Sequence, residues 1–155
     1  MTELLIGIVV GAVASGLVQA LLALHARRVA GRVAARLFLG DLFIAEHDVI
    51  RMIDGGRWPD MNMPTFERAL ETWRAHREAF AASVDATDWT LVAVAYRDLM
   101  DLPGVADAGR TLTADELHIL GAVRTRLDDA GKVASEHAAP KQQRARVVRE
   151  LTSTK

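Results

Sequence analysis

Leu4–Leu24, LLIGIVVGAVASGLVQALLAL, is a run of 21 residues without a charge, in which only Ser15 and Gln19 are polar. As a helix rising about 1.5 Å per residue it is roughly 31 Å long, close to the roughly 30 Å hydrocarbon core of a bilayer. An apolar circumference of that length leaves no solvent face for an ordinary core helix. A cleaved signal peptide wants a basic start, a shorter apolar run and a small-x-small cleavage site. Here the start is Met-Thr-Glu, and Ala12-Val13-Ala14 falls inside the run. The stretch therefore reads as an uncleaved transmembrane anchor over residues 1–26, with a tethered remainder.

Charge then orients the expected span. Glu3 is the only charged side chain before it, whereas Arg27, Arg28, Arg32 and Arg36 follow it. Basic residues are retained on the cytoplasmic side and can contact lipid head groups. The expectation is a single-pass bacterial inner-membrane protein, N-terminus out and C-terminal domain cytoplasmic. Inside the run, Gly7, Gly11, Ser15 and Gln19 recur every fourth residue and share one stripe of the helix. Small residues at that spacing allow close helix approach, and a glutamine can bond across to a neighbour, so the stripe predicts self-association into a homo-oligomer.

Working outward, His25–Asp54 holds no proline and no turn cluster, which predicts that the first helix continues past the span. Phe38, Leu42, Ala45, Val49 and Met52 alternate at spacings of four and three, the mark of a buried helical face. Leu39, Phe43, Ile50 and Ile53 widen that face enough to predict two packing neighbours. Gly55-Gly56 stops the helix. After GGRWPDMNMP, Pro64 opens a second helix to about Val84, with Phe66, Leu70, Trp73, Phe80 and Val84 inward. Asp85 caps a third over about residues 86–101, carrying Trp89, Val92, Ala93, Tyr96, Leu99 and Met100. Thr113 and Glu116 form a capping box for a fourth, with Leu117, Leu120, Val123, Leu127, Ala130 and Ala134 inward.

The expected fold is all-α, an N-terminal transmembrane helix continuing into a cytoplasmic antiparallel four-helix bundle over residues 27–139. A basic tail, residues 140–155, follows. The net charge of −1 conceals segregation, because residues 37–140 carry 18 acids against 10 bases while the tail is basic. An acidic middle does not support a nucleic-acid interface. The tail reads as solvated, or as an arm reaching anionic lipid.

Chemistry has little local support. The chain lacks cysteine, and His25, His47, His76, His118 and His137 contain no pair at the i, i+4 spacing of a helical zinc site. Glu46-His47-Asp48 point to different sides of one helix, and Asp128-Asp129 read as a solvated face. Phosphate-cradling and nucleophile-elbow motifs are missing from the sequence, so no cofactor, metal or catalytic residue is expected. Trp58, beside Arg57 and Pro59, is a candidate partner contact together with Arg57, although tryptophans are more often core anchors.

Gly55–Pro59 (GGRWP), Phe66 with Leu70 and Trp73, and the Asp85–Leu99 segment resemble an uncharacterised group of bacterial single-pass membrane-anchored helical proteins. The resemblance implies a fold and no activity. The function expected is that of a membrane-anchored, non-enzymatic interaction or scaffold protein that self-associates or docks a protein partner. Two rivals are a membrane-disrupting or lysis-type effector whose span oligomerises, and a membrane-tethered hydrolase whose site is invisible in sequence.

Overall fold

The computed structural model describes residues 2–59, 64–102 and 108–139, with side chains from residue 13 onward. Four helices follow one another: α1 Thr2–Gly55, α2 Pro64–Ala81, α3 Ala86–Asp101 and α4 Ala114–Ala138. At 54 residues, α1 is about 81 Å long at about 1.5 Å per residue, far longer than its partners. Only its second half, from Gly31 onward, is covered by other helices.

The bundle is antiparallel. Asp48 of α1 accepts a 2.6 Å hydrogen bond from Thr65 at the start of α2, whereas Gly31 faces Ser83 just past the end of α2. Glu46 meets Arg124 on α4 at 3.8 Å, and Arg36 donates to the Ala138 carbonyl at the far end of that helix. Likewise Asp88 pairs with His137 and Asp98 with Arg126, running α3 against α4. The backbones of α1 and α3 lie across a diagonal without touching, as do those of α2 and α4.

Local signals explain the boundaries. Gly56 adopts φ 64°, a left-handed turn that glycine tolerates without cost, and its N–H donates to the carbonyls of Met52 and Ile53. Asp85 caps α3 by accepting from the N–H groups of Thr87 and Asp88 at 2.9 Å each. Thr113 and Glu116 form the reciprocal capping box of α4. The second helix stops three residues before the expected Val84, because Ser83 N–H and Oγ both turn back to the Phe80 carbonyl and tighten the last turn.

All five residues of the α1 stripe, Phe38 through Met52, are buried. At its centre the Phe38 ring lies 5.3 Å from each of Trp73, Phe80 and Tyr96, reaching across the diagonal that the backbones leave open. Trp73 stacks on Tyr96 at 4.5 Å and on Trp89 at 5.0 Å. Such ring pairs are worth about 0.5–1.5 kcal/mol each beyond simple burial. Met100 and Phe43 depart from expectation and face solvent, with Phe43 70 % exposed.

The expected membrane span is not supported. Among the described residues, no helix is long and apolar enough to cross a membrane, and the placement as a single-pass inner-membrane protein with a cytoplasmic domain is corrected accordingly. The side chains of residues 4–12, including Gly7 and Gly11, lie outside the described residues, as do residues 140–155.

Candidate functional site

The 3.5-residue rhythm that buries α1 does not stop where the bundle does. Counting back from Phe38 and Ala35 through Gly31, the same alternation of four and three reaches Arg28, Leu24, Leu21 and Leu17. These positions continue the core-facing side of α1 past the ends of α2 and α4, so nothing among the described residues covers them. Leu17 is 62 % exposed, Leu21 64 % and Leu24 50 %. Val13, Val18 and Leu22 are equally open, giving a projecting helix that is apolar on nearly every side. Contiguous exposed apolar surface of this kind marks an interaction site.

Ser15 and Gln19 are exposed on the same segment. Each precedes a leucine of the seam by two residues, about 200° around the helix, so they occupy nearly the opposite face. The signal missed from sequence was the leucine seam itself, hidden by reading the whole apolar run as one undifferentiated span.

The four arginines divide. Arg27 and Arg28 are exposed. The Arg32 guanidinium Nε donates to the Arg28 carbonyl at 3.2 Å, and that of Arg36 donates to the Ala138 carbonyl at 3.1 Å. Arg36 thus places a cation on the carbonyl of the last residue of α4, where the helix dipole favours it. That role could not be read from sequence, since the acceptor lies 102 positions away.

Arg57 is exposed, but Trp58 is not available to a partner: it is 1 % exposed. Its N–H donates to the Arg110 carbonyl at 2.8 Å, and the Leu112 N–H donates back to the Gly56 carbonyl at 2.9 Å. This stitching of the α1–α2 and α3–α4 connections draws the indole inward, where Nε1 donates to Glu116 at 3.2 Å. Glu116 also accepts from Arg110 and from the Thr113 N–H. The Arg110 guanidinium foremost, then the Thr113 N–H, hold its carboxyl far below the usual range, against a smaller opposing effect of burial.

Beside Trp58 lies a cleft of about 190 Å³ between α3 and α4, walled by Leu102, Leu120 and Val123. Its three acids are engaged, Glu116 as above, Asp98 with Arg126 and Asp101 with Arg97. His137 Nε2 sits 2.7 Å from Asp88 and edge-on to Phe80, joining the end of α4 to the start of α3. Among the described residues no three histidine, aspartate or glutamate side chains converge as a metal site. No protein-family model matches the chain, and neither a curated protein nor a solved structure does.

Proposed function

We propose that the chain is a non-enzymatic helical interaction protein that self-associates through the projecting part of α1, with the four-helix bundle as the module so assembled. The observation that supports this is the exposed seam Leu17–Leu21–Leu24, which repeats the spacing of a core stripe without a core to meet. A second copy carries the complementary surface by symmetry, and a two-fold interface needs only that one patch be self-complementary. Two copies together would bury eight side chains from Val13, Leu17, Leu21 and Leu24. At about 1.5–3 kcal/mol for each fully buried residue, and roughly half of each now exposed, the gain is about 6–12 kcal/mol. That is comparable with the about 4–15 kcal/mol of freedom lost on association. In water the driving force is apolar burial, so the leucine seam carries the contact, and the polar residues Ser15 and Gln19 do not.

Sedimentation equilibrium of the full chain tests the reading. The wild-type protein is expected above monomer mass, Leu17→Glu/Leu21→Glu at monomer mass with an unchanged thermal midpoint, and Gln19→Glu like wild type. A wild-type monomer at tens of micromolar, or a double variant that still assembles, overturns it.

A further inference from the structure

A second copy could lie along the seam in either of two directions, and the bundle discriminates between them. From Gly31 onward, the face of α1 that carries Leu17, Leu21 and Leu24 is occupied by the chain's own helices. The end of α2 closes on it at Gly31, where an added Cβ would strike the side chain of Ser83. The end of α4 arrives just beyond, at the hydrogen bond from Arg36 to the Ala138 carbonyl. The turn from α2 into α3, residues 82–85, lies at the same end. Together they form a blunt stop across the path of any helix laid along the seam.

In a parallel pair related by a two-fold axis, every residue faces its own counterpart. Beyond residue 31 the second copy's α1 would then stand about 8–10 Å in front of the first, in the space that α2 and α4 already fill. The two bundles collide. Tilting the helices clears them only by pulling the leucines apart. A staggered parallel contact also avoids the collision, but it is heterologous and leaves a seam open at each end.

An antiparallel pair meets no such obstacle, because the bundles lie at opposite ends. The described side chains also supply its register. Val13 and Leu17 are adjacent seam positions, 58 % and 62 % exposed. Setting Val13 of one copy against Leu17 of the other puts the two-fold axis at the level of Ser15. Leu21 and Leu24 then stand opposite positions 9 and 6, a valine and an isoleucine in the sequence. Thr2, the first described residue of α1, stands opposite Arg28, so no described backbone runs past Gly31 into the stop. A shift of one heptad toward the bundle would drive it there.

We propose that self-association through the seam is antiparallel and two-fold, Val13 of each copy meeting Leu17 of the other. The inference rests on the seam being the site of self-association, and adds its direction and register. The paired helices form a shared rod with one bundle at each end. Their Gly31 residues are about 48 Å apart along it, at about 1.5 Å per residue, so the bundles do not touch.

The test is double electron–electron resonance on the full chain, which has no cysteine of its own, with one nitroxide at His25→Cys or at Val29→Cys. Both positions are exposed and lie off the seam. Antiparallel pairing separates the two spins by about 30 Å along the rod for His25→Cys and by about 42 Å for Val29→Cys. Adding Leu17→Glu/Leu21→Glu should abolish the dipolar signal at both. A parallel pair would instead give one short distance, below about 20 Å, at both positions. That result overturns the proposal while self-association through the seam stands. A mass above dimer in sedimentation equilibrium, or a dipolar signal that survives the glutamates, also overturns it. Monomer mass without any dipolar signal removes the seam reading itself, and this inference with it.

Discussion

Replacing Gly31 by alanine puts a methyl group well inside van der Waals contact of Ser83 Cβ and Oγ, and 3.3 Å from the Ala79 carbonyl oxygen. The Ser83 Cβ is fixed to the backbone, and its hydroxyl is already bonded to the Phe80 carbonyl at 2.8 Å, so rotation cannot relieve the clash. The end of α2 must move outward. Overpacking of this kind costs about 1–3 kcal/mol, offset by about 1 kcal/mol of helix propensity gained over glycine. Gly40, on the solvent side of the same helix, has nothing within 4 Å of a Cβ, so Gly40→Ala keeps the propensity gain alone. Gly40→Ala should therefore stabilise by about 1 kcal/mol while Gly31→Ala is neutral to destabilising by about 2, a difference of about 1–3 kcal/mol at roughly 4 °C of thermal midpoint per kcal/mol. Circular dichroism melts measure this directly. Ser83→Gly added to Gly31→Ala should recover most of the loss. Equal midpoints for Gly31→Ala and Gly40→Ala would refute the close approach of α1 to the end of α2.

Glu116 makes stability pH-dependent. Its folded carboxyl is held below the ordinary value near 4.5, so its stabilisation is fully present above that value and is lost as pH falls through and beneath it. Urea midpoints measured from pH 7 to pH 3 should fall more steeply for wild type than for Glu116→Gln, and parallel curves would remove Glu116 from that role. The Tyr96 hydroxyl is buried without a partner among the described residues, and burial foremost, then the Asp41 charge, push its ionisation upward. Tyr96→Phe should thus be neutral or stabilising by up to about 1 kcal/mol, and a loss larger than that in thermal melts would reveal a bond the hydroxyl makes.

Most of the bundle is written locally. Asp85, the Thr113–Glu116 box and Gly55-Gly56 act within a few residues of themselves, so helix ends are readable from the side chains beside them. The stripes at spacings of four and three named Phe38, Trp73, Tyr96 and Leu127 as core because periodicity is also local. What escaped depends on long-range pairing. Trp58 is buried only because the Arg57 region meets Thr111, more than fifty positions later. Arg36 reads in sequence as a lipid head-group contact because nothing near it shows the carbonyl it caps. Phe43 and Met100 share the periodicity of buried neighbours, yet they sit at the edge of the covered arc, which only the real positions of α2 and α4 define. The apolar run Leu4–Leu24 misled through hydropathy, a quantity that averages around the helix. The seam within it is a matter of direction.

Because one unbroken helix carries both the projecting seam and the core stripe, the two are locked in rotational phase. Each residue inserted between Leu24 and Gly31 would swing the bundle by about 100° about the axis relative to whatever grips the seam, and seven would bring it nearly back into alignment. The length and register of that short stretch, more than its composition, set the azimuth at which the bundle is presented.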